Sequence, residues 1–296
     1  MIHWRLLHRY DGFAMTQLRQ AYSVVRAASG VWRYQLDLAS VSGRIGEQGG
    51  WLMINLLPAV FLVLFCVLPI MAQGQFEKDV IETSGGDLEI TFIGHGTLMF
   101  SFDGKVIHVD PWSRLADYSK LPKADMILLT HHHGDHLDAV AIKQLRSDST
   151  VVVLTELCAG TVKGGMVMKN GDKQTVMGID VLAVPAYNIV HKRDNGEVYH
   201  PKGEGNGYVL TFGDTRVYIA GDTENTPEMK ALENIDYAFL PMNLPYTMTP
   251  EMVADAVSAF KPKVLYPYHY GDTDLSELVE LLKDNQDTEI RFRKMQ

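Results

Sequence analysis

Seven consecutive residues, Thr130-His131-His132-His133-Gly134-Asp135-His136, constrain this chain more than any other stretch. They follow the apolar run Met126-Ile127-Leu128-Leu129, whose unbroken hydrophobicity is that of a strand covered on both faces. Four imidazoles and a carboxylate packed so tightly behind a buried strand are poor packing material, because each one taken out of water needs a hydrogen-bond partner or a metal ion. Any fold for this chain must bring further polar groups to the end of that strand.

The surrounding pattern is one of short strands, hairpins and amphipathic helices. Residues 88–93 alternate at period two, and 98–102 and 105–109 form a hairpin about Asp103-Gly104. Behind the histidines, Leu137, Val140, Ala141 and Leu145 recur at helical spacing. Strands are predicted at 150–154, 174–177 and 181–185, a second hairpin at 208–212 and 216–220 about Gly213-Asp214, and further strands at 237–240 and 264–268. A helix starts at Thr249-Pro250, with Met252, Val253, Ala256, Val257 and Phe260 on one face. A last helix, capped by Asp274, presents Leu275, Leu278, Val279 and Leu282. Hairpins early in each half with helices behind them predict two packed sheets with helices outside, a four-layer αββα sandwich of the α/β class. One domain over 85–296 follows a linker at 73–84. The polar stretch 188–206 is longer than most connections and is predicted to be functional.

The front of the chain is different. Residues 51–72 carry no charge, long enough to cross a bilayer and equally suited to a secretory signal ending at Ala72. Residues 1–50 hold six arginines against three acids, a net of +3, so the rest of the chain carries −12 of the overall −9. Basic residues ahead of an apolar run predict an exported protein, periplasmic or extracellular, membrane-anchored through 51–72 if that run is not cleaved. Met53 offers a second start, so the native product need not contain the basic extension. Cys66 and Cys158 are the only cysteines, which leaves no disulfide framework. The acidic balance argues against nucleic acid as a partner, and oligomeric state leaves no mark in the sequence.

Histidine and aspartate recur where apolar strands end: Asp222 follows 217–220, and His269 follows 264–268. In an extended turn His131 and His133 point one way, while Asp135 and His136 reach a second point beyond the bend. Divalent ions take such imidazole and carboxylate donors, and two ions would share a bridging carboxylate, for which Asp222 is the natural choice. Two such ions can hold a hydroxide between them and polarise the oxygen under attack.

The pattern His131-x-His133-x-Asp135-His136, Gly221-Asp222-Thr223 and the late His269 resembles the metallo-β-lactamase superfamily over about 88–270. Gly94-His95-Gly96, Asp110-Pro111 and Pro267-Tyr268-His269-Tyr270 resemble its branch of metal-dependent hydrolases close to ascorbate-6-phosphate lactonase and N-acylethanolamine phospholipase D. The resemblance implies two divalent metal ions, zinc first with manganese or iron also suited, and a metal-bound hydroxide acting on an ester, lactone or phosphodiester of a small molecule or lipid. Asp135 and Asp222 are the candidate catalytic residues.

One place departs from the family pattern. A further ligand histidine usually ends the strand that here runs into Asn188, so His191 and His200 become the substitutes. His200 is preferred, because it opens the turn His200-Pro201-Lys202-Gly203. The metal set is then His131, His133, Asp135, His136, His200, Asp222 and His269. His95, Lys202, Asn243 and Tyr246 are candidate substrate contacts, and Asp110, Asn188 and His191 are candidate supports of the ligands. Two competing readings are a nuclease, which would need a basic surface, and a metal-binding or envelope-assembly protein that kept the fold without catalysis.

Overall fold

The apolar runs assemble into two sheets in the computed structural model, which describes residues 76–296. The basic extension and the apolar run at 51–72 lie outside the described residues, as does the start of the predicted linker. The first sheet takes its strands in chain order: β1 (Glu77–Thr83), β2 (Gly86–Gly94), β3 (Thr97–Phe102), β4 (Lys105–Val109), β5 (Met126–Leu128), β6 (Val151–Leu154) and β7 (Met166–Val167). The second holds β8 (Lys173–Val176), β9 (Ile179–Ala186), β10 (Gly205–Phe212), β11 (Thr215–Ile219), β12 (Tyr237–Pro241), β13 (Val264–Tyr268) and β14 (Glu289–Ile290), likewise in order. Each sheet begins with antiparallel hairpins and ends with parallel strands. The two halves of the domain therefore repeat one plan.

Side-chain alternation sets the layers. On β5, Met126 and Leu128 face the core between the sheets, while Ile127 faces outward. The inner core is aromatic, with Phe92, Phe100, Phe212, Phe239 and Tyr266 buried between the sheets. Outside the first sheet, α1 (Ala139–Leu145) and α2 (Glu156–Thr161) cover Ile127, Leu129, Val152 and Leu154. Outside the second, α3 (Pro227–Lys230), α4 (Pro250–Phe260) and α5 (Leu275–Leu281) cover Tyr218, Ala238, Leu240 and Leu265. The architecture is the predicted αββα sandwich. Thr249 caps α4 by accepting from the Met252 N–H, with Pro250 in the first turn.

Some local expectations change. The stretch read as a linker, 73–84, carries β1, paired with β2 along its whole length. Its alternation is faint because Ile81 alone is buried and Val80 is 61% exposed. On α5, Leu278 is buried but Val279 is 44% exposed, so the apolar face is narrower than its spacing predicts. The short elements α2, α3, β7 and β14 have too few residues to show a period. No helix among the described residues is long and apolar enough to cross a membrane.

Candidate metal centre

The ends of β2, β4 and β5 from one sheet and of β9, β11 and β13 from the other meet at a single edge. Backbone bonds stitch them together: His269 N–H donates to the His95 carbonyl, and Asn206 N–H donates to that of Thr130. Two glycines permit the approach. A Cβ on Gly96 would lie 2.8 Å from His136 Cε1, and one on Gly221 would lie 3.0 Å from Thr130 Cβ in a backbone with φ of +65°.

On the first sheet's side, Asp110 organises the histidines. Its buried carboxylate accepts from the Thr130 N–H (2.8 Å), the Thr130 hydroxyl (2.6 Å) and His136 Nδ1 (2.8 Å). Because the Thr130 hydroxyl spends its proton on Asp110, its lone pair accepts from His131 Nδ1 at 3.0 Å. Both imidazoles are thus fixed as Nδ1–H tautomers with Nε2 free to coordinate, the arrangement that supporting carboxylates impose on ligand histidines. Asp110 thus touches His136 directly and His131 through Thr130.

The second sheet supplies Asp222 just past β11 and His269 just past β13. His200 arrives from the long loop between β9 and β10. Its Nε2 lies 3.2 Å from His133 Nδ1 and 3.3 Å from Asp222 Oδ2. Of the two substitutes proposed for the missing histidine, the structure therefore brings in His200. His191 instead turns its Nδ1 to the Thr247 carbonyl at 2.8 Å and lies 3.0 Å from Glu224.

Two donor groups result. His131, His133 and His200 converge as one, and His95, Asp135, His136 and His269 as another, with the donor atoms in each lying within 4.8 Å of one another. Asp222 stands between them. Its Oδ2 faces His131 Nε2 (3.8 Å) and His200 Nε2, while its Oδ1 faces His136 Nε2 (3.4 Å) and His269 Nε2 (3.5 Å). His131 Nε2, His136 Nε2, His269 Nε2 and Asp222 Oδ1 are all buried without a hydrogen-bond partner among the described residues. Unpaired buried atoms of this kind are costly unless a cation satisfies them. Nitrogen and oxygen donors without thiolate fit zinc, manganese or iron.

Electrostatics agree with that fit. Burial, with neighbouring imidazoles, drives His131 well below its ordinary pKa and His133 down to about 4, so both are neutral donors. Burial opposes charge on Asp222, yet His269 and His136 hold it ionised far below the usual range. Burial likewise resists ionisation of Asp135, and the nearby His269 ring, 3.6 Å away, together with the hydrogen bond from His95 overcomes it. His136 moves the other way: against burial, Asp222 and Asp110 raise it to about 10. That rise expresses the demand of the buried carboxylates for a positive charge beside them, a charge that a divalent cation at His136 Nε2 would supply.

The remaining candidates divide. His95 Nε2 donates to Asp135 Oδ2 at 3.1 Å, and its ring lies 3.7 Å from that of His269, so it belongs to the cluster. Lys202 does not join it. Its Nζ pairs with Glu228 Oε1 at 2.7 Å and lies over the Tyr187 ring, a nearby anion and aromatic face that compete successfully for a flexible side chain. Asn243 borders the site: its Oδ1 would meet a Cβ on Gly271 at 2.6 Å, two residues past His269. Tyr246 is half exposed and meets Tyr199 edge-on at 5.0 Å, and Tyr199 lines the small cleft over His131, His133 and His200. Asn188 Oδ1 accepts from His200 Nδ1 at 2.7 Å. Thr130 and Glu224 were not anticipated. Thr130 is signalled as the polar residue ending an apolar strand, whereas Glu224 lies in a polar run, 221–228, that gives no sign of its burial.

An αββα sandwich whose histidines and aspartates gather at one sheet edge around a shared carboxylate defines a class of metal-dependent hydrolytic folds. The family model described as the beta-lactamase superfamily domain matches residues 89–269, spanning every candidate ligand, and the chain belongs to the metallo-β-lactamase superfamily. It is 33% identical over 198 residues to a UPF0173 metal-dependent hydrolase of Methanopyrus kandleri, covering 62% of this chain and 84% of that one. A second UPF0173 metal-dependent hydrolase, from Koribacter versatilis, is 35% identical over 199 residues, with the same two coverages. Among solved structures, a protein from Parabacteroides distasonis described as a metal-dependent hydrolase is 50% identical, covering 75% of this chain and 100% of its own, with a TM-score of 0.71.

Proposed function

We propose that this chain, a metal-dependent hydrolase of the metallo-β-lactamase superfamily, cleaves an ester, lactone or phosphodiester bond in a small molecule or lipid. The observation that carries the reading is the division of the Asp222 carboxylate, one oxygen toward each histidine group. His131, His133 and His200 would hold one divalent ion, Asp135, His136 and His269 a second, with Asp222 between; zinc is the first choice, manganese or iron the others. Ions so held supply acidification of water and polarisation of a carbonyl or phosphoryl oxygen. The protein's own part is orientation and proton handling. Asp135, whose side chain is 33% exposed and whose Oδ2 is bonded to His95, would orient an attacking water through its acceptor oxygens. His95, bonded to Asp135 Oδ2, is the proposed contact for the leaving group.

The rim bears on substrate class. Ile189, Val190, Leu244 and Tyr246 are between 42% and 61% exposed, and they lie on two loops tied together by Asn188 Nδ2 donating to the Tyr246 carbonyl. An exposed apolar group beside a polar centre suits a substrate with an apolar portion. The test is turnover by the metal-loaded protein on esters, lactones and phosphodiesters of graded chain length. We expect rates to rise with chain length in one of these classes. No turnover by protein carrying bound metal would reject the reading. The non-catalytic alternative rests on Asn188 standing for a histidine, and the position of His200 beside His133 favours the hydrolase over it.

Export belongs to the same proposal and rests on the uncharged run at 51–72. The expected mature chain begins at Gln73, as read by N-terminal sequencing of protein from the cell envelope. An intact N-terminus on cytosolic protein would overturn it.

A further inference from the structure

The histidine that completes the first donor group comes from the far end of a long loop, so something must aim it. We propose that Glu224 is a positioning residue that holds His200 on the first metal site through the side chain of Asn188. The inference rests on His200 being a ligand there.

A side-chain amide is chemically two-ended, and here both ends are specified. Asn188 Oδ1 accepts from the His200 N–H at 2.9 Å and from His200 Nδ1 at 2.7 Å. Its Nδ2 donates to Glu224 Oε1 at 3.1 Å and to the Tyr246 carbonyl at 2.9 Å. Turning the amide over would set a donor against two donors and an acceptor against two acceptors. Glu224 therefore fixes which end of Asn188 meets His200. That in turn fixes His200 as the Nδ1–H tautomer, with its Nε2 lone pair facing His133 and Asp222.

Glu224 has the structure of a clamp. It is fully buried and also accepts from the backbone N–H groups of Ile189, Val190 and His191, each at 2.7 Å. Three successive amides on one carboxylate set the path of the chain as it leaves Asn188, and burial without them would be prohibitive for a charge. Each of its oxygens accepts from two donors: Oε1 from Asn188 and His191, Oε2 from Ile189 and Val190. A carboxylate can satisfy all four. An amide of the same shape cannot.

The test is titration of the metal-free full chain with cobalt(II) alone, read by absorption and by competition with a chelator. Glu224→Gln is expected to weaken one of two binding steps by about 10- to 100-fold and to leave the other unchanged. Asn188→Asp keeps an acceptor for His200 but sets it against Glu224, and it should weaken the same step. The pair Asn188→Asp with Glu224→Gln restores a donor opposite an acceptor at this one contact, while the Tyr246 carbonyl and the His191 N–H stay mismatched, so its loss of affinity should be smaller than the sum of the two single losses. Asn188→Ala carries the same expectation should Glu224→Gln not fold. Wild-type binding by the single variants, equal weakening of both steps, or losses that simply add in the double variant would each overturn the proposal. His200→Ala tests the foundation separately. If it weakens neither step, His200 is not a ligand and the reading of the first site fails with it.

Discussion

His95, Asp110 and His269 all sit at positive φ, between 44° and 51°, a conformation that costs a non-glycine residue about 1–3 kcal/mol. Three of the seven such residues among those described fall at one small site, and each either joins the donor cluster or holds a member of it. Asp222 is the residue on which both donor groups depend. Asp222→Asn should lower turnover by more than the roughly 100-fold that loss of a supporting residue costs, and should cut bound metal. Assay and metal analysis on one preparation would check both. His108 gives a pH prediction free of the metal site. Burial lowers its pKa to about 4, its Nε2 donates to the Pro122 carbonyl, and its Nδ1 is buried without a partner. The unfolded chain therefore takes up a proton near pH 6.5 that the fold refuses. The stability His108 allows is complete above that pH and falls by roughly 3 kcal/mol as pH drops to 4. Replacing His108 with Asn should flatten this part of the pH profile in denaturant unfolding.

At the scale of elements, the sequence was most legible where a local rule had one outcome. Asp103-Gly104 and Gly213-Asp214 sit between β3 and β4 and between β10 and β11, where the two hairpins turn. Thr249-Pro250 begins α4, and Thr249→Ala should cost about 1 kcal/mol by removing the acceptor for the Met252 N–H, measurable by chemical denaturation. Legibility failed where an element owes its existence to a neighbour. β1 buries one side chain and is a strand because β2 offers it an edge. α5 buries Leu278 while Val279 stays in solvent, since a helix docked by a narrow stripe need not cover every apolar residue.

For the whole molecule, the candidate centre joins the two sheets. His131, His133, Asp135 and His136 follow β5 of one, whereas His200, Asp222 and His269 follow or precede strands of the other. A cation shared across that seam binds the folded state alone. At free metal a hundredfold above its dissociation constant it should add about 3 kcal/mol, and removal by a chelator should lower the melting temperature by roughly 5–10 °C. A melting temperature indifferent to chelation in protein shown to carry metal would contradict that arrangement.

By itself the sequence determined the layers, the strand ends that carry histidine and aspartate, and the family, because apolar periodicity and ligand spacing are local properties of the chain. Only the tertiary structure set His200 rather than His191 beside His133, drew Lys202 away to Glu228, and brought Glu224 against Asn188. Each of those outcomes turns on which partner a side chain meets across 26 or more residues of chain, and such meetings are set by the packing of two sheets rather than by neighbours in sequence.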